Sequence, residues 1–361
     1  MDRYELRRED YSLSADQADL QSAYAKFFAA HCPIDVVRAA EPEGFDKSLW
    51  ERLCGTGATT MALPESAGGD GATLVDLTLV AEEIGRWMAP VPWIDHVCAA
   101  RLLAQVGDFD AGTVSALAQG REIAALAPQL GVTTGKRLIP AGSIADHIVV
   151  RDGDEIVALS FATRPAKVDN LGRLPMAWVD PAAADTRTVL GGADVLAHYE
   201  RALDEWRLLT ASALVGLIEQ TMRIAAEFAT TRYTLGVPIS TLQGISHPLA
   251  NIAIAVEGGR SLGRKAAWYL DNEPDARREL ALAAFVFMSD EAAKAATMAV
   301  QVQGGLGVSE ESAASAYLVR ARGWPLAGGD VGASALRIAE LISERNIREG
   351  VNHAAHDPAR A

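Results

Sequence analysis

The chain has 361 residues, of which 49% carry apolar or aromatic side chains, and a formal net charge of −14 at pH 7. This length predicts two or three packed domains rather than a single core, and the excess of negative charge disfavours binding to nucleic acid phosphates. The longest apolar runs fall well short of the ~18 to 20 residues that cross a membrane, so we expect no transmembrane helix.

The first residues and the cysteines limit the class of protein further. Residues 1–10 alternate charges and lack the apolar middle of a secretory signal, which predicts a cytoplasmic protein. The three cysteines, Cys32, Cys54 and Cys98, are odd in number and widely spaced. We therefore expect neither a disulfide framework nor a metal site.

Residues 1–118 have the pattern of an all-helical N-terminal domain. Ser14, followed three residues later by Gln17, has the spacing of a capping box that begins a helix. Asp46 begins another helix, and a glycine-rich loop at 63–71 separates it from a helix at 75–87.

Residues 119–195 change to short β-rich runs, which predict a small central β domain. The runs lie at 137–139, 147–150, 155–159 and 188–190, and Gly, Asp and Pro residues separate them.

Residues 196–361 return to helical periodicity, which predicts a C-terminal helical bundle. Apolar residues recur at steps of three and four from Leu208 to Ala229, and again from Ile245 to Leu270. The second stripe contains Gly259 and Gly263, where we expect close approach to a neighbouring helix. Further helices are predicted at 276–303, 310–322 and 331–349.

Polar residues and glycines gather where the bundle helices end. Arg232 follows the first helix, Gln243 begins the second, and Gln301 precedes the pair Gly304-Gly305. Taken singly, Arg232 could form an ion pair, Gln243 could be an ordinary first-turn residue, and Gly304-Gly305 could be a helix C-cap. Together, a guanidinium, a helix N-terminus and a glycine turn indicate a site for the pyrophosphate and adenine of a flavin dinucleotide. We interpret the chain as a flavoprotein.

On these residues the sequence resembles the acyl-CoA dehydrogenase family over nearly its whole length. The loop at 63–71, the helix end at 81–90, the segment 141–146, the stretch 232–247 and the turn 301–307 are similar in kind and in order. The resemblance implies an N-terminal helical domain, a central β domain and a C-terminal four-helix bundle. This agrees with the fold class that periodicity predicts, mainly α with a β insert.

The resemblance also implies FAD bound across a subunit boundary. In that family the arginine, the glutamine and the Gln-x-x-Gly-Gly segment contact the FAD of a neighbouring subunit. The matching residues in this sequence are Arg232, Thr234, Gln243, Gln301, Gly304 and Gly305. Oligomerisation would then be required to complete the site.

The residue that acts as base in such enzymes has no direct counterpart. A carboxylate removes the α-proton of an acyl thioester while a hydride leaves the β-carbon for the flavin. The family places this glutamate either in the loop matching 326–330 or at the position matching Trp206. The adjacent Glu205 is our candidate base, although a shift of one residue turns a helical side chain by ~100°. Asp330 is a weaker candidate, because Gly328-Gly329-Asp330 has the pattern of a helix N-cap.

The central domain departs from the family as well. The flavin-facing segments that the family places there should fall near 127–134, but the sequence passes directly from 124–129 to Lys136. The chain therefore keeps the residues that reach a neighbour's FAD and is expected to lack those that hold its own isoalloxazine ring.

This combination is similar to the heteromeric acyl-CoA dehydrogenases of bacterial steroid side-chain breakdown. It implies an FAD-dependent acyl-CoA dehydrogenase subunit acting on a bulky CoA thioester within an α2β2 assembly. Its partners would be a second acyl-CoA dehydrogenase-like chain and an electron-transfer acceptor. Other readings stay open: a self-sufficient homo-oligomer using Glu205, a non-catalytic subunit that binds CoA esters, or flavin chemistry of another kind.

Overall fold

A computed structural model describes residues 10–106, 109–129, 131–192 and 194–355, with side chains as far as residue 348. The elements follow the predicted order, which is helices, a small β region and a helical bundle. The junctions between these regions fall where α-helix gives way to strand after Ala118 and where a long helix begins at Val195. The predicted domain boundaries themselves stay a prediction.

Within residues 10–106 and 109–118 the N-terminal region has six α-helices, which pack on an apolar core shared with the rest of the fold. The predicted capping box is present, because the Ser14 side chain accepts from the Gln17 backbone N–H and the Gln17 side chain accepts from that of Ser14. The helices are α1 (Ala15–His31), α2 (Ile34–Ala39), α3 (Lys47–Cys54), α4 (Leu74–Arg86), α5 (Trp93–Gln105) and α6 (Ala111–Ala118).

The β region consists of a four-stranded sheet and a separate pair. The sheet has the order β1-β3-β4-β6, in which β1 is parallel to β3 and the other neighbours are antiparallel, while β2 pairs with β5. The strands are β1 (Ala124–Leu126), β2 (Arg137–Ile139), β3 (His147–Asp152), β4 (Glu155–Ser160), β5 (Ala177–Val179) and β6 (Thr186–Val189).

Two of these strands were not predicted. β1 and β5 have only three residues each, and alanine contributes to both. Such segments carry little β-propensity of their own. Burial against the rest of the fold makes β1 a strand, since all three of its residues are buried.

The C-terminal region is built on three long helices that pack against one another. They are α7 (Val195–Thr231), α8 (Gln243–Asn272) and α9 (Glu279–Gln303). A short hairpin of β7 (Tyr233–Thr234) and β8 (Val237–Pro238) joins α7 to α8, and α10 (Ala314–Gly323) and α11 (Val331–Ala355) follow. The helix α7 is long and apolar enough to cross a membrane, but 78% of its most apolar window is buried inside the fold, as in a core helix.

Reciprocal glycines bring α4 of the N-terminal region against α7. A Cβ on Gly85 would lie 1.7 Å from the Ala213 carbonyl oxygen, and a Cβ on Gly216 would lie 1.8 Å from that of Glu82. Within the bundle, a Cβ on Gly259 would lie 2.2 Å from Met288 Sδ, which confirms the predicted close approach there. Gly263 has more room, since its nearest contact would be 3.6 Å away.

Candidate functional site

The residues predicted to contact FAD lie at one end of the bundle. The helix α7 ends just before Arg232, α8 begins at Gln243, and α9 ends just before Gly304. A small apolar cluster packs beneath these three helix ends and holds them together: Ala225, Ala229, Ala299 and Val302, with Phe228, Ile239, Ile245 and Leu249 against it. Segments separated by about seventy residues in sequence therefore meet at one surface.

This end of the bundle presents its polar groups to the surface. All six residues are exposed: Arg232, Thr234, Gln243, Gln301, Gly304 and Gly305. Within the described ranges no acidic side chain forms an ion pair with Arg232, so the ion pair that would explain this arginine without a ligand is not found. Its guanidinium is available to an anion.

The start of α8 offers unpaired backbone donors beside this guanidinium. Leu242 occupies the N-cap position and provides no side-chain hydrogen bond to the first turn. The N–H groups at the start of a helix lack intrahelical partners, and the helix dipole favours an anion there. With thirty residues, α8 is long enough for this effect.

The glycine turn after α9 leaves open space. Gly304 has φ of 59° and ψ of −134°, and a Cβ added at Gly304 or Gly305 would meet no atom within 4 Å. A ligand can therefore come close to the backbone at this turn. A guanidinium, an uncapped helix N-terminus and an open glycine turn fit the phosphates of a dinucleotide such as FAD.

Exposed apolar side chains surround these polar groups. Leu235, at the tip of the β7–β8 hairpin, is 91% exposed, and Tyr233 and Val237 beside it are exposed too. The turn after α9 adds Leu306 and Val308. A concentration of exposed apolar residues next to a polar site is typical of a protein interface.

Glu205 lies in a buried ion pair. Its side chain is 2% exposed, its Oε2 is 2.8 Å from Arg101 Nε, and its Oε1 is 3.2 Å from Arg201 Nε. Burial alone would raise the pKa of this carboxyl, but the charges of Arg101 and then Arg201 outweigh it and lower the pKa. A general base needs access to its proton and a pKa near the working pH, and this environment provides neither.

The two positions at which the resemblance predicts a base face one cleft. Trp206 lines it from α7 and Ala327 from the turn before α11, between the N-terminal helices, the β region and the bundle. The cleft has a cavity volume of about 60 Å³ and opens to solvent. Asp330 does not line it, and its Oδ1 accepts from the backbone N–H of Gly332 at 2.8 Å, as an N-cap does.

Asp95 is the functional candidate that sequence reasoning missed. It lines the cleft near the start of α5, and its Oδ1 accepts a hydrogen bond from Trp206 Nε1 at 2.8 Å. Burial raises the pKa of this carboxyl to about 6, and the Trp206 hydrogen bond offsets only part of the effect. An acidic residue in the first turn of a helix is ordinary, so the sequence carries no signal for this role.

Gln129 lies in the segment at 127–134, where the resemblance predicts flavin-facing residues. Its Nε2 donates to the Leu138 carbonyl at 2.7 Å and to the Ala327 carbonyl at 2.9 Å. Its Oε1 is buried without a partner among the described residues. Gln129 thus ties the β region to the turn that lines the cleft.

Comparison with known proteins assigns both helical regions. Residues 14–110 match the model described as acyl-CoA dehydrogenase, N-terminal domain, and residues 196–342 match the one described as acyl-CoA dehydrogenase, C-terminal domain. Among relatives, acyl-CoA dehydrogenase IpdE2 of Mycobacterium tuberculosis is 27% identical over 307 residues, which are 84% of this chain and 90% of the relative.

Solved structures share the fold. A chain of the ChsE4-ChsE5 complex from Mycobacterium tuberculosis has a TM-score of 0.79 at 25% identity, covering 93% of this chain and 99% of that chain. A chain of the Tcur3481-Tcur3483 steroid ACAD, in a G363A variant, has a TM-score of 0.82 at 24% identity, covering 91% and 98%. The predicted three-part fold is confirmed by these likenesses.

Proposed function

Because the chain belongs to the acyl-CoA dehydrogenase family of FAD-dependent oxidoreductases, we propose that it is one subunit of a heteromeric enzyme. The enzyme introduces a double bond between the α- and β-carbons of a bulky, steroid-derived acyl-CoA thioester. Its partners are a second acyl-CoA dehydrogenase-like chain and a separate electron-transfer acceptor, and we place the assembly in the cytoplasm.

The exposed site at the end of the bundle carries this proposal. Arg232, Gln243 and the turn at Gly304 present phosphate-binding groups outward, and apolar side chains frame them. A cofactor site that is open on one side and bordered by apolar surface is completed by a second chain. The FAD of the partner subunit fits this description.

FAD would supply the oxidant, accepting the hydride that leaves the β-carbon. For this chain we assign Arg232 to the pyrophosphate, where a guanidinium gives charge-assisted hydrogen bonds. Gln243, with the first N–H groups of α8, adds donors to the same phosphates. Thr234, Gln301, Gly304 and Gly305 would border the adenosine half.

The heteromeric form is supported by the absence of a carboxylate at both positions where the family has its catalytic glutamate. Trp206 occupies one of them, and the residues at 326–330 provide no carboxylate to the cleft. Two arginines hold the Glu205 carboxylate and lower its pKa, which disfavours a self-sufficient homo-oligomer that uses Glu205 as its base. One structural neighbour is a complex of two named chains and another is named a steroid enzyme, and we extend both properties to this chain.

The experiment compares the chain alone with the chain copurified with a second acyl-CoA dehydrogenase-like chain. We expect little FAD and no turnover from the chain alone, and bound FAD with dehydrogenation of a steroid-derived CoA thioester from the complex. Stoichiometric FAD with full turnover from the isolated chain would overturn the partner-dependent function. In the complex, Glu205→Gln should leave the turnover number of the folded fraction unchanged. Loss of a general base lowers the rate by ~10²–10⁴-fold, so a fall of ~100-fold or more would show that Glu205 is the catalytic base after all.

A further inference from the structure

We infer that Asp95 is the proton acceptor of this chain's own cleft and removes the α-proton of an acyl-CoA thioester bound there. The inference rests on the proposed function for its substrate class, and it adds a residue that neither base position of the family supplies. In the step, the Cα–H bond breaks and a bond forms between that proton and a carboxylate oxygen of Asp95. The electron pair stays on the thioester as an enolate, so the step needs no oxidant.

The position of Asp95 supports this role. Trp206 and Ala327, from the two segments that carry the base in the family, line the same cleft as Asp95. The Asp95 Oδ1 lies 2.8 Å from Trp206 Nε1. A carboxylate is therefore present where the reaction needs one, and it comes from α5 in the N-terminal region.

The composition of the cleft also supports this role. Among the described residues that line it, Asp95 is the only one with an ionisable side chain, and its neighbours include Ile84, Ile94, Leu174 and Trp324. An apolar surrounding disfavours the charged form of a carboxyl and makes the carboxylate a better base. The resulting pKa of about 6 lies close to the working range of a general base.

The contacts of the Asp95 carboxylate fit this role as well. Trp206 fixes Oδ1, and no side chain of the described residues donates to Oδ2. On the same helix Arg101 is engaged by Glu205, and the thiol of Cys98 keeps its proton, because burial, and then the charges of Glu205 and Asp95, raise its pKa well above the usual value. The adjacent His96 is directed to the Leu117 carbonyl and the Ala124 N–H. One oxygen is thus positioned and the other is left for a substrate proton.

The test measures exchange of the α-protons of butyryl-CoA in D2O, by mass spectrometry, on the isolated full-length chain without an electron acceptor, so that no base of the partner chain contributes. We expect exchange by the unmodified protein, with a rate that rises as the pH passes about 6, following the raised pKa of Asp95. Asp95→Asn should lower the rate at least ~100-fold, the lower end of what a general base contributes. The matched control is Asp35→Asn, which changes an exposed aspartate on α2 and should leave the rate unchanged.

A second variant keeps the test decisive if Asp95→Asn does not fold. Trp206→Phe removes the indole donor, and because that hydrogen bond lowers the pKa of Asp95, the midpoint of the exchange profile should move to higher pH. An unchanged rate in Asp95→Asn, an unchanged midpoint in Trp206→Phe, or no exchange by the unmodified protein would each overturn the inference. Asp95-dependent exchange by the isolated chain, together with a complex that binds no FAD, would support the inference while contradicting the proposed function.

Discussion

Arg101 and Glu205 form a buried ion pair that joins α5 of the N-terminal region to α7 of the bundle. Arg101 Nε lies 2.8 Å from Glu205 Oε2, and the two side chains are 10% and 2% exposed. Arg101 also donates to the Ala62 carbonyl. The pair therefore fixes the interface between the two helical regions, which gives Glu205 a structural role.

The first prediction concerns this pair. Arg101→Met should lower the free energy of unfolding by ~3–5 kcal/mol, because it leaves the Glu205 charge buried with only the partly exposed Arg201 nearby. The double variant Arg101→Met, Glu205→Leu should recover much of that loss, since neither charge remains to be desolvated.

Urea unfolding of both variants measures the effect. The matched control is Lys47→Met, which breaks an ion pair with Glu51 whose side chains are 80% and 64% exposed. It should change the free energy by less than ~1 kcal/mol. A single variant as stable as the unmodified protein would contradict the structural role.

The second prediction concerns the glycine contact between α4 and α7. Gly216→Ala places a methyl group 1.8 Å from the Glu82 carbonyl oxygen, so the helices must separate. We expect a loss of ~1–3 kcal/mol or more in thermal or urea unfolding, as for other overpacked sites.

The control for this contact is Gly244→Ala near the start of α8. A Cβ there meets nothing within 4 Å, and alanine favours a helix over glycine by up to ~1 kcal/mol. The two substitutions should therefore change stability in opposite directions. Equal effects would show that helix propensity, and not the close approach, decides the outcome at Gly216.

The third prediction concerns His96 and acid stability. This buried imidazole accepts from the Ala124 N–H through Nδ1 at 3.1 Å and lies 3.0 Å from the Leu117 carbonyl through Nε2, so it joins α5, α6 and β1 in its neutral form. Burial lowers its pKa to about 4. The unfolded chain, with a pKa of ~6.5, binds a proton that the folded protein excludes.

This difference in pKa between the folded and unfolded states decides how stability changes with pH. The stability that neutral His96 provides is fully present above pH ~6.5 and decreases by up to ~1.4 kcal/mol per pH unit as the pH falls toward 4. In urea unfolding at pH 7 and pH 5, His96→Gln should be less stable at pH 7 and lose less on acidification. His247→Gln, which removes an exposed imidazole on α8, is the matched control. An equal pH slope in both variants would contradict the assignment.

Local sequence patterns predicted the helices and their ends, whereas contacts between residues distant in sequence form the cleft and the buried ion pair. Ser14 and Gln17 define their capping box within four residues, and the periodicity of α7, α8 and α9 placed Arg232, Gln243 and Gly304 at helix ends. Helix ends of an up-down-up bundle meet at one surface, so this part of the candidate site could be predicted.

The cleft could not be predicted in the same way. Asp95 and Trp206 are 111 residues apart in sequence, and their hydrogen bond forms only when α5 packs against α7. Likewise Glu205 resembles a usable base in the sequence, and only the fold brings Arg101, 104 residues away, onto its carboxylate. The strand β1 depends on its partner β3 in the same manner.

The most direct test of the account is the affinity of the assembled complex for FAD when only this chain carries Arg232→Ala. If Arg232 of this chain meets the pyrophosphate of the partner's FAD, the loss of a charge-assisted hydrogen bond of ~1.5–3 kcal/mol should weaken binding by about ten- to a hundredfold. Arg52→Ala, which removes another exposed arginine on α3, serves as the control and should have no effect. FAD that binds equally tightly to both variants would contradict a flavin site at this end of the bundle.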